Sequence, residues 1–117
     1  MSIKEDAQRI HTNLLEKTDP EALERINHFA FDEVQAVVDL PDRTKMLSTL
    51  AYLLGMQGID EYKVMLPVAL DNGVSPVEAK EVLYQAVDYL GLGRVFPFFK
   101  ATNDILTARG VDLPLPG

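Results

Sequence analysis

Residues 69–94 read ALDNGVSPVEAKEVLYQAVDYLGLGR, and this stretch decides the fold. Its Asn72-Gly73 pair predicts a helix end, because glycine readily adopts the left-handed conformation that follows a helix C-terminus. Residues 75–78 (SPVE) then predict a helix start, with a capping serine, a proline at the first helical position and a glutamate three residues after the serine. Apolar residues at helical spacing continue the new helix to Leu90, where two glycines follow. The stretch therefore predicts two helices joined by a tight turn.

Outward from this turn, the rest of the chain shows the same helical periodicity and no strand-like alternation. The predicted helices are residues 3–17, 20 to about 39, 43–56, 60 to about 72, 76–90, and a last one that follows Gly93 and ends near Arg109. Asp19, Asp42 and Asp60 are the predicted N-caps of the second, third and fourth helices. Pro67 lies inside the fourth helix and predicts a kink or an unpaired carbonyl there. The fold class is therefore all-α, with about six helices.

The length of 117 residues, with 47% hydrophobic and 25% charged residues, predicts one globular domain over residues 1–117. Its first helix is the N-terminal one, residues 3–17. The tail, residues 110–117, is too rich in proline for a helix and is predicted to lie over the surface. A small helical chain of this kind often gains further burial by forming oligomers.

The formal charge of −7 comes from 18 acidic and 11 basic residues, and it disfavours binding to nucleic acid and to anionic membranes. The N-terminus lacks an apolar signal segment, and no apolar run approaches the roughly 20 residues that span a bilayer. A cytoplasmic location is the simplest interpretation. The sequence has no cysteine, which excludes disulfides, thiolate nucleophiles and sulfur-ligated metals within these residues.

The only histidines are His11 and His28, which lie on different predicted helices and lack the clustered partners of a metal site. We predict no metal and no other cofactor. His28 has the side chain best suited to proton transfer near neutral pH. Glu33 follows it by five residues, a spacing that does not place both on one narrow stripe of an α-helix. A structural or solvent-facing role for His28 is therefore favoured over a catalytic one.

Gln85 lies in an otherwise apolar helix, so we predict that it is partly buried, either in a core hydrogen bond or against a polar pocket. Glu61, at the start of the fourth helix, is explained by the helix dipole alone. A further set of side chains could line an apolar cavity or simply form the core: Met46, Met56, Met65, Tyr52, Phe96 and Phe98. The sequence leaves these two interpretations open.

Three stretches in order resemble the carboxymuconolactone decarboxylase family, over roughly residues 27–106. They are FAFDEV at residues 29–34, DRTKMLSTLAYLLG at residues 42–55 and the opening stretch at residues 69–94. The resemblance implies an all-α, alkylhydroperoxidase D-like fold with a central antiparallel helical hairpin, and a homo-oligomer, commonly a trimer or hexamer. It also implies one of two chemistries, decarboxylation of a lactone acid or thiol-dependent peroxide reduction.

Carried over by the resemblance, the family's reactive positions hold other residues here. Its two cysteines fall on Gly58 and Glu61, its histidine on Met65 and the glutamate of its third-helix motif on Met46. Residues that match the family pattern as scaffold or pocket residues are Glu33, Gln85, Tyr89 and Gly91. Thiol-dependent peroxidase chemistry is therefore excluded for these residues.

Two functions remain. The first is a lyase for a small organic acid or lactone, with Glu33, Glu61 and His28 as candidate catalytic residues. Its pocket would lie near the junction of the third and fourth helices, with candidate lining residues Met46, Gly58, Met65 and Gln85. The alternative is a non-catalytic, oligomeric module that binds a small molecule or serves assembly, because methionine offers no group for proton transfer.

Overall fold

The structure, a computed structural model, describes residues 2–116 and contains α-helices, a π-helix and a 3₁₀ turn, with no strand in that range. Its elements are α1 (Ile3–Leu15), α2 (Pro20–Ile26), the π-helix (Asn27–Val34), the 3₁₀ turn (Gln35–Val37), α3 (Asp42–Gly55), α4 (Ile59–Asp71), α5 (Pro76–Leu90) and α6 (Leu92–Ala108). The predicted all-α class is confirmed. The contacts divide the chain after Pro41 into an N-terminal unit and a C-terminal unit. The expectation of one domain stays a prediction.

The C-terminal unit is built on α3 and α4, which form a hairpin. Helix α5 packs against α3 and α6, and α6 also packs against α4, so each helix buries one apolar face. The centre of this unit holds fully buried side chains from all four helices: Leu50, Leu54, Leu66, Leu83, Val95 and Leu106. Burying each leucine stabilises the fold by about 1.5–3 kcal/mol, so this packing is the main source of stability in the unit.

The turn between α4 and α5 forms as the sequence predicts. Gly73 has a φ of 105°, and the N–H of Val74 donates to the carbonyl of Ala69 at 3.1 Å, which closes the end of α4. At the start of α5, the Glu78 N–H donates to the Ser75 hydroxyl at 3.1 Å, and the Ser75 N–H donates to the Glu78 carboxylate at 3.0 Å. This reciprocal capping box is confirmed.

Two predicted caps are wrong by one or two residues. Helix α4 begins at Ile59 with Gly58 as its N-cap, so Asp60 lies in the first turn, and Asp42 is likewise the first residue of α3. An acidic side chain in the first turn interacts favourably with the helix dipole, which explains its place without a capping bond. Pro67 does not end α4, which continues to Asp71.

In the N-terminal unit, the single helix predicted over residues 20–39 is instead three elements. Helix α2 ends at Ile26, the π-helix follows to Val34, and the chain leaves helical geometry after Val37. A single amphipathic helix over residues 20–39 would bury an apolar stripe along its length, yet only Leu23 of these residues is buried. The wider π-helix turns residues off an α-helical stripe, so the predicted face does not persist beyond α2.

The core of the N-terminal unit is small and partly polar. Ala7 and Leu23 are buried together with Asp6 and His11. The Nδ1 atom of His11 lies 2.6 Å from the carbonyl oxygen of Ala7, and its ring lies 5.4 Å from that of Phe31. Because buried polar groups need hydrogen-bond partners, this unit depends more on specific polar contacts than the C-terminal unit does.

Candidate functional site

A groove with a cavity volume of about 610 Å³ lies between α3 and α5 in the C-terminal unit. Its lining residues are Arg43, Leu47, Ala51, Leu54, Gly55, Glu78, Glu81, Val82, Gln85, Ala86, Tyr89 and Leu90. A volume of this size is typical of a small-molecule site. We name it the α3–α5 groove.

Small side chains keep the α3–α5 groove open. Ala51 and Gly55 lie four residues apart on α3, and Ala86 lies on α5. A Cβ atom added at Gly55 would meet nothing within 4 Å. Larger residues at the same spacing, such as Leu47, complete an apolar wall. The groove is therefore open because its two helices place short side chains opposite one another.

The polar groups of the groove carry a net negative charge. The Arg43 guanidinium forms an ion pair with the Glu78 carboxylate, which also accepts the Ser75 N–H. Glu81 adds a second carboxylate, while Gln85 supplies a neutral amide. One cation and two anions disfavour an anionic ligand, because its charge would meet an arginine that is already paired. The arrangement suits a neutral, mostly apolar molecule.

Of the four predicted pocket residues, only Gln85 lies in this groove, and it is exposed rather than partly buried. Met46 and Met65 are buried side chains, and Gly58 is the N-cap of α4. None of these three lines the groove. The structure therefore does not gather the predicted pocket residues in one place, since helix packing directs the two methionines inward.

His28 and Glu33 are in contact, although a spacing of five residues would place their side chains on different stripes of an α-helix. The His28 Nε2 atom lies 3.2 Å from a Glu33 carboxylate oxygen, and both side chains are more than half exposed. The π-helix is the cause, because its hydrogen bonds join residues five apart and bring such residues to one side. An imidazole beside a carboxylate can donate and accept protons, and this pair lies on the surface of the N-terminal unit.

The side chains that surround His28 in space are charged. Glu21, Glu24 and Arg25 line a depression of about 360 Å³ with it. Asp32, four residues after His28, instead contacts α1, where it accepts from Gln8 at 3.0 Å and pairs with Lys4 at 3.0 Å. The hydrogen bond from Lys4 lowers the pKa of the Asp32 carboxyl below its usual value.

Glu61, the third candidate catalytic residue, lies in the first turn of α4 and is half-buried. It belongs to the C-terminal unit, whereas His28 and Glu33 belong to the N-terminal unit. Residues 2–116 contain no group of three histidine, aspartate or glutamate side chains that could hold a metal ion.

Sequence reasoning missed the groove residues Arg43, Glu78 and Glu81 as site residues. The local sequence explains Glu78 as a capping residue. Its ion-pair partner, Arg43 on α3, lies 35 residues away in sequence and is not visible locally. One signal was available. The apolar stripes of the third and fifth helices contain alanine or glycine at successive turns, at Ala51, Gly55 and Ala86. Such gaps predict space between helices wherever the two stripes face each other.

The model of the carboxymuconolactone decarboxylase family matches residues 20–104, which is most of the chain. The chain belongs to the carboxymuconolactone decarboxylase family. The match runs across both units, and it confirms the resemblance carried by the three motifs.

The chain is also similar to a 4-carboxymuconolactone decarboxylase from Acinetobacter baylyi, strain ADP1. The two are 37% identical over 67 residues, which are 57% of this chain and 50% of the length of that family member. No helix in residues 2–116 combines the length and the apolar character that crossing a membrane requires.

Proposed function

We propose that this family member is a non-catalytic, self-associating module that binds a small neutral molecule in the α3–α5 groove. The observation that carries the proposal is the lining of that groove, which is apolar apart from an Arg43–Glu78 ion pair, Glu81 and two neutral polar groups. The groove contains no histidine or lysine for proton transfer, and of its two carboxylates Glu78 is already held by Arg43 and by the Ser75 N–H, which leaves Glu81.

The positions that the family resemblance assigns to proton transfer support the same proposal. Met46 and Met65 occupy them, and both side chains are buried in the core. A thioether neither donates nor accepts protons at neutral pH, so these residues stabilise the core by apolar contact instead.

A thermal-shift and NMR titration with a neutral lactone and with a muconate dianion tests the proposal. We expect saturable binding of γ-butyrolactone, with shifted amide signals in α3 and α5, and no turnover. We expect the muconate to bind at least about tenfold more weakly, since its charge meets the carboxylates of the groove. Tighter binding of the dianion at this groove would contradict the proposed ligand class.

A matched pair of glycine variants tests the location. Gly55→Phe places a ring in the α3–α5 groove, and Gly93→Phe places the same ring on α6, away from the groove. An added Cβ meets nothing within 4 Å at either position. We expect Gly55→Phe to abolish lactone binding and Gly93→Phe to leave it unchanged. Equal binding by both variants would exclude this groove as the site.

One comparison favours a second function, a lyase. The similar protein from Acinetobacter baylyi is named as a 4-carboxymuconolactone decarboxylase, and the His28–Glu33 pair offers an exposed proton donor and acceptor. Under this alternative, His28 would protonate the carbanion that remains when carbon dioxide leaves.

Release of carbon dioxide from 4-carboxymuconolactone separates the two functions. The proposed binding module gives no turnover above the buffer rate. Turnover that is lost in both His28→Ala and Glu33→Gln, but kept in Glu24→Gln, would establish the lyase and overturn the non-catalytic proposal. Glu61→Gln belongs in the same series, because Glu61 is the remaining carboxylate candidate.

A further inference from the structure

A second cavity, of about 450 Å³, lies in the C-terminal unit where the tail passes α5 and α6. Its lining residues are Lys80, Tyr84, Asn103, Leu113, Pro114 and Leu115. Leu113, Pro114 and Leu115 belong to the tail, so this segment forms one wall of the cavity. We name it the tail cavity.

The charge of the tail cavity is opposite to that of the α3–α5 groove. Lys80 is the one ionised side chain in its lining, and no carboxylate of residues 2–116 lines it. The ammonium of Lys80 donates to the amide oxygen of Asn103, and it lies 5.7 Å from the centre of the Phe99 ring. Both partners orient the ammonium without cancelling its charge.

A lysine side chain is almost never fully buried unless its ammonium group is paired. The other lysine of this region, Lys100 on α6, is paired in that way with Asp104. Within residues 2–116, Lys80 is half-buried with a neutral amide as its hydrogen-bond partner. The cavity therefore offers an anion the positive charge of Lys80, which no carboxylate in the cavity lining neutralises.

The remaining lining specifies the rest of the ligand. Tyr84 contributes an aromatic ring with a hydroxyl, 5.8 Å from the ring of Phe99, and the tail contributes leucine and proline side chains. Such a mixture suits a molecule with a flat apolar body and one acidic group. We propose that the tail cavity binds a small aromatic or cyclic monocarboxylate, with its carboxylate on Lys80 and its ring between Tyr84 and the tail.

Benzoate is the probe, with benzamide as its uncharged analogue, and binding is followed by amide chemical shifts at a fixed salt concentration. We expect benzoate to shift signals in residues 80–84, 99–103 and 111–115 in a saturable manner. Benzamide should bind at least about tenfold more weakly, because a charge-assisted hydrogen bond is roughly twice as strong as a neutral one. Equal affinity for the two probes, or no saturation by about 10 mM benzoate, would overturn the proposal.

Substitutions of Lys80 and Lys100 test whether the Lys80 ammonium binds the carboxylate of benzoate. Lys80→Met should raise the Kd for benzoate at least about tenfold, whereas Lys80→Arg should keep it within about threefold. Lys100→Met is the matched control and should leave the Kd unchanged, since Lys100 does not line the cavity. Unchanged binding in a folded Lys80→Met protein would contradict the assignment.

A second pair of variants tests the same binding site without changing the Lys80–Asn103 contact. Leu115→Asp and Leu115→Asn place side chains of nearly equal size on the tail wall and differ in charge. The aspartate should weaken benzoate binding relative to the asparagine by about tenfold, because it neutralises the ammonium. Equal affinities would show that the tail cavity does not hold the carboxylate.

Discussion

Glu78 links three parts of the C-terminal unit through one carboxylate. It caps α5 through Ser75, and its other oxygen pairs with Arg43 at the start of α3. The Cβ of Arg43 in turn lies 3.4 Å from the point where a Cβ on Gly73 would be, so α3 also approaches the α4–α5 turn closely. The local sequence predicted the capping half of this arrangement and not the ion pair, because capping depends on neighbours and the pair depends on helix packing.

Substitution of Glu78 separates these roles. Glu78→Ala should lower the free energy of unfolding by about 1–2 kcal/mol, through loss of the cap and the ion pair. Glu78→Gln should cost less, because glutamine can still complete the capping box. Urea denaturation measures the differences, with Glu81→Ala, three residues further along α5, as control. A larger loss in Glu81→Ala than in Glu78→Ala would contradict this account.

Tyr62 and Thr102 form a fully buried polar pair, with their hydroxyl oxygens 2.6 Å apart. Tyr62→Phe should lower the free energy of unfolding by about 1–2 kcal/mol, because the Thr102 hydroxyl loses its partner. Tyr62→Phe combined with Thr102→Val should cost less than the sum of the two single changes. Thermal or urea unfolding of the four proteins gives the coupling, and simple additivity would contradict it.

Burial also raises the pKa of the Tyr62 phenol above its ordinary value of 10.0. The unfolded chain therefore loses this proton at a lower pH than the folded protein does. The stability contributed by the neutral phenol is complete below about pH 10 and is lost as the pH rises through the folded-state pKa. Between pH 9 and about pH 11, wild-type stability should fall more steeply than that of Tyr62→Phe.

At the scale of elements, prediction succeeded where the signal was local. The start of α5 at Pro76, its end at Leu90 and the Gly73 turn follow from short-range capping chemistry. The π-helix over Asn27–Val34 could not be predicted in this way, because its residues have the composition of an ordinary amphipathic helix. The His28–Glu33 contact was missed for the same reason, since the spacing that joins them exists only in the wider helix.

The two kinds of helix should differ in local stability. None of the π-helix residues is buried, whereas α4 contains buried residues along its length, among them Tyr62, Leu66 and Ala69. Local opening is easier where few apolar contacts must break. Among the helical residues, hydrogen–deuterium exchange should therefore be fastest in residues 27–37 and slowest in the centre of α4. Slow exchange throughout the π-helix would show that it is held by contacts beyond its own unit.

The α3–α5 groove is formed by two packed elements, and the sequence predicted it only in part. Sequence patterning identified both helices and placed Gln85 near a pocket, yet it did not show which helix faces meet. That information comes from the packing of α5 on α3, which brings Arg43 to Glu78 across 35 positions. The pocket expected at Met46 and Met65 rests on the positions of the family's reactive residues. In this chain both methionine side chains are buried in the core instead.

At the scale of the whole molecule, several large apolar side chains of residues 2–116 are exposed to solvent. Tyr52 lies on α3, and Met56 directly follows that helix and donates its N–H to the Tyr52 carbonyl at 2.9 Å; the two residues are 71% and 70% exposed. Leu92 and Phe96, four apart on α6, are 60% and 61% exposed. The two residues of each pair are one helical turn apart, and these exposed pairs support the proposal of self-association, with further copies of this chain as the partners.

Self-association predicts how the molar mass of the protein in solution changes with substitutions and with salt concentration. Met56→Lys and Phe96→Lys should each lower the molar mass measured by light scattering, because a charge buried between copies costs several kcal/mol. Thr107→Lys adds the same charge at an exposed polar position of α6 and should leave the mass unchanged. Each copy carries a charge of −7, so copies repel one another, and screening should strengthen the assembly between about 0.01 M and 0.15 M salt. A wild-type protein that stays monomeric at the higher salt concentration would contradict self-association, whatever the variants do.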